Sequence, residues 1–119
     1  MPSALGIQRP SLPLASLTVQ SGITVISVRF SFDPQKSKRL RANPRRGVGF
    51  EEARELFTRP YWLDRRSDVP EQFLAVGWVG GRLYSVIFEV RQDEEDEILH
   101  LVTLWKSTKE ELRLYEEHS

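Results

Sequence analysis

Between Glu71 and Lys106 the chain carries three apolar runs of strand length, EQFLAVGWV, RLYSVIFEVR and ILHLVTLWK. They are rich in the β-branched and aromatic residues that suit a pleated, half-buried surface. Gly80-Gly81 separates the first two, and paired glycines reach positive φ at no steric cost, which predicts a tight hairpin turn. The acidic run Gln92 to Glu97 separates the last two and is too charged to bury. A three-stranded antiparallel meander follows. By strand parity Tyr84, Val86, Phe88 and Val90 share its core face, while Ser85, Glu89 and Arg91 share the other.

Upstream, Ile26, Val28, Phe30 and Phe32 alternate with polar residues, predicting a strand over 23–32. Asp33-Pro34 is a helix opening, with an acceptor side chain at the N-cap and proline at the first helical position. That helix ends by Asn43-Pro44, because the residue before proline avoids the α region. Phe50, Ala53, Leu56 and Phe57 form one apolar face of a second short helix, begun by Glu51 and Glu52 and ended by Pro60. Tyr61 to Arg65 is expected as a short edge strand. Ser107-Thr108-Lys109-Glu110 has the form of a capping box opening a C-terminal helix that carries Leu112 and Tyr115. Residues 1–22 hold Pro2, Pro10 and Pro13 without any period and are expected to be disordered, or to be an extension upstream of the true start. The expected fold is α+β: one domain over 23–119, with an antiparallel sheet of about four strands, two N-terminal helices and one C-terminal helix on a single sheet face.

Composition narrows the chemistry. A chain of 119 residues has room for one modest core. It contains no cysteine, which removes disulfides, thiolate nucleophiles and cysteine-based zinc sites, and its two histidines do not make a histidine-rich metal site alone. No run approaches the roughly 18 apolar residues of a membrane span and no signal-type segment leads the chain, so a cytoplasmic protein is expected. The net charge is zero, but it is unevenly placed. Residues 34–66 hold ten lysines and arginines against four acids, and residues 92–119 hold three against nine. The basic half suits phosphates, since the field that matters is local within a Debye length of about 8 to 10 Å. Both charge runs also fit ordinary solvated faces.

The segments FDPQK, RRGVGFEEARELF, GRLYSVIFEVR and KSTKEELRLYEE, in this order, resemble the BrnT family over residues 30–117. The resemblance implies a ribonuclease toxin of a type II toxin-antitoxin system with a RelE-like fold. It implies no metal or other cofactor, and a cognate BrnA-like antitoxin that holds the toxin inactive in a hetero-oligomer. Family members present an arginine-rich sheet surface to RNA. Arg91 and Lys106 match family positions, whereas Trp105 and His100 stand where the family has arginines and Arg45-Arg46 replaces a lysine-histidine pair. These departures leave a second reading open: a catalytically degenerate member that keeps an antitoxin-binding or RNA-binding surface without cutting.

Metal-independent RNA cleavage needs a base for the 2′-hydroxyl proton, an acid for the leaving oxygen and cations for the phosphate. If the acidic loop closes symmetrically about Glu94 and Glu95, Arg91 faces Ile98 and Glu89 lies opposite His100. Directly opposed residues have Cβ atoms about 4.5 to 5.5 Å apart. Glu89 is then the candidate base and His100 the candidate acid, with Arg91 and Lys106 as phosphate ligands. Lys36, Lys38, Arg39, Arg45, Arg46 and Arg82 are candidates for holding the RNA backbone. Glu89 and His100 equally fit an exposed polar pair. Trp78 and Trp105 fit either base stacking or core packing.

Overall fold

The computed structural model describes residues 4–8, 28–94 and 96–118. Within them lies one six-stranded sheet: β1 (Ala4–Gln8), β2 (Val28–Ser31), β3 (Tyr61–Asp68), β4 (Glu71–Val79), β5 (Arg82–Asp93) and β6 (Asp96–Lys106). The strand order is β1-β3-β4-β5-β6-β2. All neighbours are antiparallel except β2, which runs parallel to β6. The helices are α1 (Pro34–Ala42), α2 (Phe50–Ala53), which continues as a 3₁₀ turn over Arg54–Thr58, and α3 (Lys109–His118).

The meander forms as its pattern predicts. Gly80 and Gly81, at φ 56° and 84°, turn β4 into β5, a conformation that glycine adopts without a Cβ penalty. Asp93 faces Asp96 across the acidic turn. The rest of the sheet corrects the expectation of about four antiparallel strands. The strand expected over 23–32 is seen as Val28–Ser31, its earlier residues lying outside those described, and its parallel pairing with β6 makes the sheet mixed. Ala4–Gln8, inside the segment expected to be loose, forms β1 against β3. Tyr61–Asp68 is therefore a longer, interior strand and no edge. The remainder of 1–22 lies outside the described residues apart from this strand.

Helices lie on both faces of the sheet, which corrects the expectation of one. Leu40 of α1, Phe50 and Ala53 of α2, and Leu56 and Phe57 of the 3₁₀ turn bury against Tyr84, Val86, Phe88, Leu101 and Leu104. Phe57 anchors this layer, with its ring edge-on to Tyr61 and Phe88 at centroid distances of 5.2 and 5.3 Å. On the other face, Leu114 and Tyr115 of α3 pack on a cluster of Trp62, Leu74, Val76, Leu83 and Ile87. The physical reason is that β3 and β4 present large apolar groups to both sides. Trp62 and Val76 are as dry as the first core, and α3 carries the apolar stripe that dries them.

Caps fix the helix ends. The Gln35 amide donates to Asp33 Oδ1 at 2.9 Å, the N-cap expected before Pro34. The second capping box falls one residue later than expected. Thr108 Oγ1 accepts from the Glu111 amide and Glu111 Oε1 accepts from the Thr108 amide, at 3.2 and 2.8 Å. Glu111 wins over Glu110 because its carboxylate turns inward, where Ser85 and Trp105 also donate to it at 2.8 and 3.0 Å. Glu110 points outward and pairs with Arg113.

One irregularity in β6 decides where the candidate site residues go. Ile87 faces Thr103 but Phe88 faces Leu101, so Val102 is an extra residue and the pair carries a β-bulge. A bulge reverses the alternation of side chains beyond it. Leu99 and Leu101 before it, and Leu104 after it, can all reach the same core.

Candidate functional site

The symmetric acidic turn gives the register expected of it: Arg91 faces Ile98 and Glu89 faces His100. Glu89, Arg91 and His100 therefore share the face that bears α3, near the end of the sheet away from that helix's start. Glu89 is held by two donors, Gln72 Nε2 at 2.8 Å and Arg91 Nη2 at 2.8 Å. His100 Nδ1 lies 2.7 Å from Ser31 Oγ, and Ser31 is its neighbour across the parallel β2–β6 pairing.

These partners set the protonation states. The hydrogen bond from Gln72, then that from Arg91, holds the Glu89 carboxyl below its ordinary range against the opposing effect of burial. Burial lowers His100, the Arg91 charge lowers it further, and Glu89 only partly offsets them. At neutral pH the pair is thus a carboxylate and a neutral imidazole. Glu89 has donors on both oxygens and is a weak base, while a neutral His100 is a poor acid but a competent base. The tautomer with its proton on Nδ1 donates to Ser31 Oγ and leaves the Nε2 lone pair to accept. Arg91 remains half exposed, and its guanidinium has five donors of which one nitrogen serves Glu89.

Lys106 stands apart. It lies six positions beyond His100, an even spacing that places both on one face of a regular strand, but the bulge at Val102 lies between them. Lys106 faces Tyr84 across the sheet, on the side of α1 and α2, and its Nζ donates to the Pro44 carbonyl at 3.1 Å. It cannot share a phosphodiester with His100. The turn that holds Arg46 lies beside it, and Arg82 acts on its cross-strand neighbour Tyr84. The Tyr84 hydroxyl donates to the Arg46 carbonyl, and burial pushes the phenol up while the nearby Arg82 opposes that shift. Among the described residues Lys36, Lys38, Arg39, Arg45, Arg46 and Arg82 form no ion pair, nor do Arg54, Arg66 and Lys109, whereas Arg29, Arg41, Arg59, Arg65, Arg91 and Arg113 do.

Trp105 donates its Nε1 to Glu111, and its ring joins the cluster under α3. Trp78 packs edge-on to Tyr115, with centroids 6.3 Å apart, and keeps part of its ring at the surface. Sequence reasoning missed Ser31 and Gln72. Ser31 was invisible because nothing local announces a parallel pairing between residues 69 apart. Gln72 had a signal, since extending the β4–β5 register past Phe73 and Phe88 puts it opposite Glu89.

Among the described residues no group of three or more His, Cys, Asp or Glu is arranged to hold a metal ion. No described helix is long and apolar enough to cross a membrane. No known family model matches the sequence, and no characterised protein matches it either.

Proposed function

We propose that this chain is a toxin-like endoribonuclease that cuts RNA in the cytoplasm and is neutralised by a cognate antitoxin. The observation that carries the reading is the apposition of a neutral imidazole, an ionised carboxylate and a half-exposed guanidinium on one sheet face. His100 Nε2 takes the 2′-hydroxyl proton, and the 2′-oxygen attacks phosphorus. The bond to the 5′-oxygen breaks, leaving a 2′,3′-cyclic phosphate, and the departing oxygen takes a proton from the imidazolium or from water. Glu89 keeps Arg91 in place, and the free side of that guanidinium meets the charge growing on the phosphate. The resemblance to the BrnT family supports the substrate class and the antitoxin partner.

A second reading, a non-cleaving member that binds RNA or antitoxin, draws on the position of Lys106. With Lys106 on the opposite face and Arg91 neutralised by Glu89, the His100 face has little free positive charge for a phosphate. Expression of the chain alone in a bacterial host, followed by growth and by RNA integrity, separates the two. Growth arrest with RNA cleavage that His100→Ala abolishes supports the nuclease. Absence of cleavage by the folded wild-type chain supports the second reading, and cleavage that persists in His100→Ala moves the centre elsewhere.

A further inference from the structure

Among the cations without an ion pair in the described residues, those of the turn after α1 and of the β5–β6 end lie beside a slot. The turn after α1 folds back on itself, with the Arg46 and Gly47 amides donating to the Asn43 carbonyl at 2.9 and 2.8 Å. The turn sits on the end of the sheet where β5 begins and β6 finishes. A Cβ placed at Gly47 would lie 3.4 Å from the Tyr84 hydroxyl and 3.9 Å from Lys106 Cε, so the turn packs against Tyr84 and Lys106, and the Tyr84 hydroxyl donates to the Arg46 carbonyl. Arg46 Nε is buried there without an acceptor. Lys106 is followed by Ser107, whose amide donates to the Leu83 carbonyl at 3.1 Å, and this step carries the path around the sheet end to the other face. There Trp78, Arg82, Leu83, Ser107 and Leu112 line an open slot of about 200 Å³. Leu112 is 38% exposed, one of few large apolar side chains so placed among the described residues.

We propose that this sheet end binds single-stranded RNA, with successive phosphates on Arg45, Arg46, Lys106 and Arg82 and one unstacked base in the Trp78–Leu112 slot. Two independent features select this occupant. Cations that have no acidic partner among the described residues match a polyanion, whose phosphates supply the missing negative charge. An indole beside an aliphatic wall, with a hydroxyl and a guanidinium at the rim, is the combination that receives a splayed base. The site shares the RNA partner of the proposed nuclease but not its cleavage centre, which lies beyond the bulge of β6.

The test is binding of a fluorescein-labelled, mixed-sequence RNA octamer, measured by anisotropy between 50 and about 300 mM salt. It uses the full-length His100→Ala chain so that the probe stays intact. Each exposed cation that meets a phosphate contributes about 0.7 to the slope of log affinity against log salt. Arg45→Ala and Arg82→Ala should each lower that slope by about this amount, and Leu112→Glu should weaken binding by about 5- to 150-fold, the range for losing one stacked base. Binding should also quench tryptophan emission, and Trp78→Phe should remove that quench, a readout independent of affinity. No binding by the folded chain overturns the inference whether or not the wild type cleaves. So does binding that heparin removes and that Leu112→Glu and Trp78→Phe leave unchanged, since a bare electrostatic patch would behave that way. A wild type that binds as described and does not cleave removes the nuclease and leaves this site standing.

Discussion

At the scale of single residues, two carboxylates show how position decides role. Glu111 lies under α3, where it accepts from Ser85, from the Trp105 indole and from the Thr108 amide. Removing it leaves three donors short of an acceptor, so Glu111→Ala should cost about 2 to 4 kcal/mol in urea unfolding. Glu89 lies at the surface and answers to pH. Its folded-state pKa is depressed, so its contribution is present above the unfolded value and is lost as pH falls through the folded one. His100 acts in the same direction. Its folded pKa is also lowered, so the unfolded chain binds the extra proton and stability declines as pH drops below about 6.5. The urea midpoint should therefore fall on acidification more steeply for the wild type than for Glu89→Gln. The same lowered histidine places the acid limb of any cleavage profile below about 6.5, and Arg91→Gln should move that limb up while Gln72→Ala moves it less.

At the scale of elements, the legible parts were those in which local chemistry and tertiary demand agree. The two hairpins of the meander, the Asp33-Pro34 helix start and the Glu89–His100 register followed from glycines, caps and a symmetric acidic turn. What was not legible depended on distant segments. Nothing in Val28–Ser31 declares a parallel partner 69 residues away, and the alternation of Leu5 and Ile7 in Ala4–Gln8 is too short to announce a strand by itself. The Val102 bulge is the most consequential of these, because one extra residue turned a predicted four-residue site into three on one face and one on the other. Deleting Val102 restores regular alternation and forces either Leu99 and Leu101 or Leu104 out of the core. Such a chain should lose cooperative urea unfolding. The helix layer has a tight point of its own at Gly49, where a Cβ would lie 2.5 Å from Ser37 Oγ and 2.9 Å from the Ser37 carbonyl. Gly49→Ala should cost about 1 to 3 kcal/mol, read from the same urea titration.

At the scale of the whole molecule, a net charge of zero hides a division of labour. Cations near the acidic termini of the strands and helices are spent on ion pairs, as Arg29 is with Asp93 and Asp96, and Arg113 with Glu110 and Glu117. Those of α1, the following turn and the β5–β6 end are left over, and α1 carries three of them on a helix whose buried side is only Ser37 and Leu40. The proposed RNA site rests on these leftover cations, which the net charge alone conceals. The nuclease reading then rests on whether His100 is a working base. The most direct measurement is the rate at which purified wild-type chain and His100→Ala cut a single-stranded RNA between pH 5 and 8. The proposed centre requires that the substitution slow cutting by about 10² to 10⁴ and that the wild-type rate rise to a plateau with an apparent pKa below about 6.5. Equal rates for the two chains, with both folded, would contradict it.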